Sequence, residues 1–321
     1  MKTNLLGIDI GGTKCAVIYG IDSDGSLEIA DKIRFGTSDV NSTVRNIISA
    51  LKEMCGRHML NPDNTKAVGI SCGGPLDSAK GLVMSPPNLP GWDGIPIVQL
   101  VEDAVGIPAF LQNDANACAL AEWKYGAGKG TRNMVFLTFG TGMGAGLVLD
   151  GKLYSGTNDN AGEVGHIRLS DFGPVGYGKA GSFEGFASGG GIAQLAATAV
   201  KEKQMMGGTV SWCPDGNTGA ITARMVAEAA KAGDELATGI YRTSAEYLGR
   251  ALSIMIDILN PEAIVIGSIF VRAEDLIRPF MEGVIAREAL PAAASVCRVV
   301  PAALGEAIGD IASLSIATAS N

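Results

Sequence analysis

One pattern occurs twice in this sequence and constrains its fold more than any other feature. In residues 4–20, a strand-like apolar run meets a glycine turn and continues into a second strand-like run, and residues 134–149 repeat the plan. An Asp-Gly pair, typical of a β-hairpin, follows each copy at Asp24-Gly25 and Asp150-Gly151. Two such copies about 130 residues apart indicate an internal duplication.

Strand-like and helix-like segments alternate along the rest of the chain, which favours an α/β protein. Further strand-like runs lie at 66–74, 107–114, 262–268 and 296–302. Helical spacing of apolar residues occurs near 41–59, 97–106, 187–206, 218–232, 234–259 and 273–287, and from about 306. No low-complexity linker divides the chain, so we expect the domain break near 115–130, just before the second copy begins.

Composition excludes several classes of protein. With 321 residues, 47% of them hydrophobic, the chain is long and apolar enough for a sizeable core. Its net charge of −8 and the lack of any basic cluster argue against nucleic-acid binding. No apolar run approaches the roughly 18 residues of a membrane span. The six cysteines are scattered singly and no secretory signal is evident, which indicates reduced thiols and a cytoplasmic location.

The glycine turns allow more than one interpretation. GTGMGAG at 140–146 does not match the dinucleotide fingerprint, because Ala145 stands where the third glycine belongs. GLVLDGKL does not match a P-loop, because Leu153 replaces the Ser or Thr that binds magnesium. The turns could simply be tight hairpins. Alternatively, their backbone N–H groups could form two concave anion sites that hold a polyphosphate.

Asp9 lies inside an apolar strand-like run, directly before the first glycine turn. A buried carboxylate without a partner costs several kcal/mol, so a cation should accompany it. Magnesium carried in with ATP would be such a cation. The alternative is that Asp9 caps its own turn through Gly11 or Gly12, and Lys14 could simply be solvated.

Seven motifs in order identify a family. They are GIDIGGTK at 7–14, SCGGPLD at 71–77, PPNLPGW at 86–92, LQNDANACALAE at 111–122, TFGTGMGAGLVLDGKL at 138–153, AGEVGH at 161–166 and SFEGFASG at 182–189. Each is weak alone, but together they cover nearly the whole chain. The sequence resembles the ROK family of repressors, open reading frames and sugar kinases, within the actin-like superfamily that also holds hexokinases.

The resemblance implies two actin-like (ribonuclease H-like) lobes with a central cleft, spanning 1–118 and 119–304, with a closing helix at about 305–321 returning to the first lobe. It also implies an ATP- and Mg²⁺-dependent hexose kinase of the glucokinase type, acting on the 6-hydroxyl, and a homodimer. N-acetylmannosamine, N-acetylglucosamine, fructose or allose kinases are the nearest alternatives. A non-catalytic sugar sensor is disfavoured by intact Asp114. An actin-like ATPase acting on proteins would leave the sugar residues without a role.

The resemblance also assigns site residues. The phosphates of ATP would lie on the first turn at Asp9, Gly11, Gly12, Thr13 and Lys14, and on the second at Gly140, Thr141 and Gly142. Gly267 and Ser268 would lie by the adenosine, although the family usually has two or three glycines where VIGSIF has one. The sugar would be bound by Gly74, Asn88, Asn113, Asp114, Glu163, His166 and Glu184, whose amides, carboxylates and imidazole suit hydroxyl partners. For Glu163 and Glu184, a solvated loop is the alternative.

Asp114 is the expected general base of the reaction. It follows the strand-like IPAFLQ and opens a helix-like run, so it should lie at the carboxyl end of a strand. A helix N-cap would explain an Asp at this position equally well. The family pattern favours the role of base, which accepts the proton of the sugar hydroxyl during phosphoryl transfer.

The segment 165–185 departs from the family. Members commonly carry three cysteines after the histidine, which bind a structural zinc together with it. Here Val175, Tyr177 and Ser182 occupy those places, and one imidazole cannot form a tetrahedral zinc site. We therefore expect no zinc, and we expect packing of Tyr177 and Phe183 to hold the segment. The family's repressors add an N-terminal helix-turn-helix, for which the residues before the first strand leave no room.

Overall fold

The structure, a computed structural model, describes residues 2–213 and 215–319 and confirms the α/β class. The strands are β1 (Lys2–Ile10), β2 (Lys14–Ser23), β3 (Ser26–Gly36), β4 (Thr65–Cys72), β5 (Leu76–Asp77), β6 (Leu82–Met84), β7 (Asp93–Ile95), β8 (Ala109–Asn113), β9 (Met134–Leu137), β10 (Ala145–Leu149), β11 (Lys152–Tyr154), β12 (Val175–Gly176), β13 (Lys179–Ala180), β14 (Ala263–Ile266) and β15 (Arg298–Pro301). The helices are α1 (Val40–His58), α2 (Ile97–Val105), α3 (Asp114–Tyr125), α4 (Phe183–Phe186), α5 (Gly189–Met205), α6 (Ala223–Lys231), α7 (Glu235–Leu259), α8 (Ile269–Glu288), α9 (Pro291–Ala294) and α10 (Ile308–Ala319).

Two five-stranded sheets repeat one topology. Their strand orders are β3-β2-β1-β4-β8 and β11-β10-β9-β14-β15, so equivalent strands occupy equivalent places. In the first sheet β1 is antiparallel to β2 and parallel to β4, which is parallel to β8. In the second, β9, β14 and β15 are parallel neighbours, and β10 and β11 form an antiparallel hairpin. The duplication predicted from the two glycine turns is therefore confirmed.

The chain divides into two compact units. The first contains the described residues within Met1–Arg132, Gly146–Ala161 and Ala303–Asn321, and the second those within Asn133–Ala145 and Gly162–Ala302. The sequence-based boundary at residue 118 falls inside α3. The functional lobes assigned from the sequence remain a prediction.

The central strands of the first sheet, β2, β1 and β4, are buried on both faces, as their nearly continuous apolar sequences require. On one face Leu6 and Ile8 pack with Leu51 of α1. On the other, Leu5 packs with Leu314 of α10. Burial on both faces explains why β1 tolerates only one charged residue between its buried positions, namely Asp9.

Glycines bring α10 unusually close to the middle of this sheet. A Cβ atom added at Gly7 would overlap the Ser313 side chain, and one at Gly69 would overlap the Ser313 carbonyl oxygen. The same approach places the first turn of α10 beside Asp9, because a Cβ added at Gly309 would lie 3.5 Å from its Oδ2 atom. Helix α10 thus reaches the end of β1 where the first glycine turn begins.

Several short elements were not predicted from the sequence. They are the small sheet β5-β6-β7, the hairpin β12-β13 and the one-turn helices α4 and α9. Runs of two to four residues are too short to carry a readable periodicity. Within the described residues, no helix has the length and apolar character needed to cross a membrane. All six cysteines are free thiols.

Candidate active site

The first glycine turn joins β1 to β2 and is latched by a threonine. The Gly11 N–H donates to the carbonyl of Lys14 at 3.1 Å, and Thr37 Oγ1 donates to the carbonyl of Gly11 at 2.6 Å. Because the Gly11 N–H is used in this way, it does not bond to Asp9. Gly12, Thr13 and Lys14 are exposed, so the outer part of the turn is open to a ligand.

Asp9 is partly buried among carboxylates and lysines. Burial is the main cause that raises its pKa to about 6, followed by the neighbouring carboxylate of Asp310. Lys32 and Lys14 act in the opposite direction, and Asp114 adds to the increase. The Lys32 ammonium forms an ion pair with Asp310. The fold therefore brings the carboxylates of Asp9, Asp310 and Asp114 near one another, and the nearby lysines neutralise their charge only in part.

Sequence reasoning missed Asp310. This residue lies in the first turn of α10, is only 9% exposed and contributes to the pKa of Asp9 from the far end of the chain. A signal was available, because Asp310 is the single charged residue in the apolar run IGDIASLSIA. Charged residues are rarely buried without a partner, so an acid in such a run indicates one.

Asp114 lies at the junction of β8 and α3, as predicted. The helix N-cap is Asn113, whose Oδ1 accepts the Asn116 N–H at 2.8 Å, so the capping role considered for Asp114 belongs to its neighbour. Asp114 accepts the Ala115 N–H at 2.8 Å. Its side chain is exposed, yet desolvation by the surrounding protein raises its pKa. A carboxylate that solvent can reach, oriented and with a raised pKa, suits a general base.

Two other predicted sugar residues of the first unit are accessible. Asn88 is exposed and borders the glycine turn, because a Cβ added at Gly12 would lie 2.7 Å from the Asn88 carbonyl oxygen. Gly74 precedes a cis peptide bond to Pro75, and a Cβ added there would have no neighbour within 4 Å. Space for a ligand therefore exists at Gly74.

The second glycine turn, between β9 and β10, has more supports than the first. The Gly144 N–H donates to Thr138 Oγ1 at 2.9 Å, and the Gly140 N–H donates to the Gly142 carbonyl at 3.0 Å. From the first residue of α5, the Gly189 N–H donates to the Gly140 carbonyl at 2.8 Å. The turn is thus fixed at the N-terminus of α5, whose dipole favours anions.

The predicted sugar residues of the second unit gather at this turn. Glu184 Oε2 accepts the Met143 N–H at 3.0 Å, so Glu184 is not part of a solvated loop. A Cβ added at Gly165 would overlap the Met143 carbonyl oxygen, which places the 163–166 turn against the same loop. Glu163 and His166 are exposed there.

A cavity of about 840 Å³ opens beside the second turn. Gly140, Thr141 and Ser268 line it, whereas Gly142 and Gly267 do not. Ser268 adopts φ = +52°, a conformation that favours glycine. The rest of the lining, from α5, α6, α7, α8 and the segment before α6, is mostly small or apolar. Such a lining can accept a planar nucleobase.

Three cations line this cavity, but only two are neutralised. Arg224 pairs with Glu228 at 2.7 Å, and Lys231 pairs with Asp275 at 3.2 Å. Arg272 donates from Nη2 to Ser268 Oγ at 3.1 Å, and no carboxylate of the described chain forms an ion pair with it. Sequence reasoning missed Arg272, because nothing in its local sequence distinguishes it from a solvated helical arginine.

The segment 165–185 is held differently from our expectation. Phe183 is fully buried, as predicted, but Tyr177 is 79% exposed at the tip of the β12-β13 hairpin, so the role expected for it is wrong. Its φ of +43° belongs to the tight turn, which directs the ring outward, where its edge meets the His166 ring at 6.2 Å between centroids.

Side-chain hydrogen bonds, instead, brace this segment. Gln194 of α5 donates from Nε2 to the Val175 carbonyl and accepts the Val175 N–H at Oε1, both at 2.9 Å. Ser182 Oγ accepts the Gly185 N–H at 3.1 Å and caps α4. No group of three or more His, Cys, Asp or Glu side chains that could hold a metal occurs in 2–213 or 215–319. The absence of zinc stays a prediction.

Comparisons with known proteins agree with the resemblance inferred from the motifs. A model of the ROK family matches residues 5–319. A glucokinase of Halalkalibacterium halodurans is 33% identical over 283 residues, which cover 86% of this chain and 84% of that protein. A ROK hexokinase structure from Thermus thermophilus is 26% identical with a TM-score of 0.79, over 99% of this chain and 98% of that one. A ROK family glucokinase structure from Streptomyces griseus, in complex with glucose and AMPPNP, is 28% identical with a TM-score of 0.74, over 99% and 100%.

Proposed function

Since the chain belongs to the ROK family, we propose that it transfers the γ-phosphoryl group of ATP to a hexose, with the 6-hydroxyl of glucose as the first candidate acceptor. The observation that carries the proposal is Asp114, an accessible carboxylate at a strand–helix junction whose pKa is raised by the surrounding protein. A structural carboxylate would more commonly be paired with a cation or placed as a cap.

Asp114 accepts the proton of the sugar hydroxyl in the proposed reaction. As that oxygen forms a bond to the γ-phosphorus, the bond from phosphorus to the oxygen of the ADP leaving group breaks, and the proton passes to the carboxylate. A raised pKa makes Asp114 a stronger base than an ordinary aspartate. The Ala115 N–H orients the carboxylate, and Asn113, fixed as the N-cap, offers its amide to a neighbouring hydroxyl.

The sugar is bound, in this proposal, by the residues that the resemblance assigns to it. They are Asn88, Asn113 and the open space at Gly74, together with Glu163, His166 and Glu184. Glu184 is the best supported of the latter three, because its hydrogen bond from the Met143 N–H connects this proposed sugar-binding residue to the second glycine turn. The resulting pattern of amides, carboxylates and an imidazole matches the hydroxyls of a sugar.

The nucleotide is bound, in this proposal, at the two glycine turns and in the 840 Å³ cavity. Its alanine and isoleucine side chains would contact the base, Ser268 would lie by the ribose, and Gly140 and Thr141 would approach the phosphates. We add Arg272 to the predicted residues, since a guanidinium without a carboxylate partner is available to a phosphate.

Magnesium fits at Asp9. Burial and the Asp310 carboxylate raise the pKa of Asp9, and a cation would favour its ionised form. Mg²⁺ usually keeps several waters and binds through one or two carboxylates and substrate phosphates, so a full protein cage is unnecessary. When bound, the metal would neutralise charge that develops on the phosphates.

A coupled ADP-release assay across hexoses and N-acetylhexosamines tests the proposal. We expect ATP- and Mg²⁺-dependent turnover with glucose, and NMR of the product should show the phosphate on the 6-oxygen. Preference for N-acetylmannosamine, N-acetylglucosamine, fructose or allose would keep the reaction and change the acceptor. Sugar binding without turnover on any of them would indicate a regulator instead. A cytoplasmic location and a homodimer also belong to the proposal.

A further inference from the structure

A second cavity, of about 690 Å³, lies wholly within the first unit. It is lined by β8, the end of α3, the β11 hairpin and the end of α10. None of its lining residues takes part in the proposed reaction. Its volume is within the range of sites that hold small organic molecules.

The lining combines an apolar surface with positive charge. Trp123, Leu120 and Ile316 contribute apolar surface, and Phe110 is 40% exposed. Both charged residues that line the cavity, Lys124 and Lys152, are lysines, and no carboxylate is part of the described lining. An amphipathic anion would complement both properties.

Lys124 is poorly compensated where it lies. Its ammonium donates to Thr318 Oγ1 at 2.5 Å, a neutral partner. Burial and, to a smaller extent, the Lys66 charge lower the pKa of Lys124 to about 8, and the opposing effect of Asp22 is smaller than either. A cation in this condition is stabilised by any anion that reaches it.

Neutral polar groups on the cavity wall could complete the recognition of a head group. Gln112 donates from Nε2 to Ser155 Oγ at the long distance of 3.4 Å, and its Oε1 accepts from the Asn116 side chain at 3.0 Å. Asn116 is fully buried, and its Oδ1 has no hydrogen-bond partner. Gln112 and Ser155 therefore hold a weak contact that a ligand could replace with a stronger one.

We propose that this cavity is a binding site for a small organic anion, whose carboxylate or phosphate head lies at Lys124 and Lys152 and whose apolar body packs on Trp123. The site does not depend on the proposed kinase activity. It lies on β8 and α3, the same two elements that meet at Asn113 and Asp114.

Calorimetric titration with octanoate and with phenyl phosphate tests the proposal on the full chain. We expect both anions to bind, and octanol, which lacks the charge, to bind at least tenfold more weakly. Lys124→Met should weaken the anions at least tenfold. Lys152→Met, at an exposed position, should weaken them as well. Lys129→Met is the control, since Lys129 does not line the cavity and donates to Gly25 instead.

Two further measurements locate the bound anion. Trp123 is one of three tryptophans, so a change of emission on binding should disappear in Trp123→Phe while calorimetric binding remains. Binding should also persist with saturating glucose and AMPPNP. Absence of binding at millimolar concentration, insensitivity to both lysine substitutions, or displacement by the nucleotide or the sugar would each overturn the proposal. None of these outcomes bears on whether the protein phosphorylates a sugar.

Discussion

The turn between β1 and β2 and the turn between β9 and β10 follow the same strand plan, yet different groups hold them. A hydroxyl latches the first, through the bond from Thr37 to the Gly11 carbonyl. A carboxylate and a helix N-terminus hold the second, through Glu184 and Gly189. The two copies share the strand plan, whereas the turns differ in length, with residues 11–13 between β1 and β2 and residues 138–144 between β9 and β10, and in the side chains that support them.

The electrostatic surroundings of the two turns also differ. The first lies beside the carboxylates of Asp9 and Asp310, which favour a cation. The second meets the N-terminus of α5 and lies near the guanidinium of Arg272, which favour an anion. In the proposed function, the first turn would therefore need a metal to hold phosphate, and the second would not.

The largest expected effect concerns Asp114, the proposed general base. Asp114→Asn should lower kcat by about 10³-fold, since it removes the base and keeps the shape of the side chain. The dissociation constant for the sugar should change only a few-fold. Steady-state kinetics and calorimetry on the same preparation measure both quantities, with the surface variant Asp63→Asn as the control. Near-normal turnover in Asp114→Asn would show that another group accepts the proton.

Adding a methyl group to each glycine turn tests how rigid the neighbouring atoms of that turn are. In Gly12→Ala it would lie 2.7 Å from a backbone oxygen of Asn88, which cannot move alone, and we expect kcat/KM to fall roughly 100-fold. In Gly142→Ala it would lie 2.6 Å from Oε2 of Glu184, the end of a flexible side chain, and we expect a fall of about tenfold. Gly56→Ala, with no neighbour within 4 Å, is the control. A larger fall of kcat/KM in Gly142→Ala than in Gly12→Ala would contradict the description of the two turns given above.

Removing the carboxylate of the first turn should stabilise the protein. The pKa of Asp9 is raised from 3.8 to about 6, so its contribution to stability is fully present below pH 3.8 and is lost as pH rises through about 6. Asp9→Asn should therefore increase the free energy of unfolding by about 1–2 kcal/mol at pH 8, with no gain near pH 3.5. Urea denaturation at both pH values measures this change, and kinase activity should fall. If the free energy of unfolding of Asp9→Asn at pH 8 equalled or fell below that of the unsubstituted protein, the ionised Asp9 carboxylate would not destabilise the fold.

The smallest expected effect concerns the nucleotide. Arg272→Met should raise the KM for ATP by about tenfold and leave the KM for sugar unchanged, because it removes one charge-assisted contact to phosphate. Arg224→Met is the matched control, since Arg224 lines the same cavity but pairs with Glu228. Calorimetry with ATP, ADP and adenosine should show the loss with the phosphorylated ligands only. A similar loss with adenosine would indicate a purely structural role for Arg272.

Much of the fold could be read from the sequence because its signals are local. Asp24-Gly25 and Asp150-Gly151 adopt the positive φ values that such hairpins require, and the helix predicted near 234–259 spans Glu235–Leu259. The β5-β6-β7 sheet could not be read, since its strands have two or three residues each.

The sequence by itself determined the family, the duplicated strand plan and the candidate base, because each is encoded by residues adjacent in the chain. Only the tertiary structure decided what surrounds those residues. Asp310 reaches Asp9 from about 300 residues away, and the fold alone shows that Asn113 rather than Asp114 caps α3. Electrostatic and packing interactions depend on distance in space, and distance along the chain does not report it.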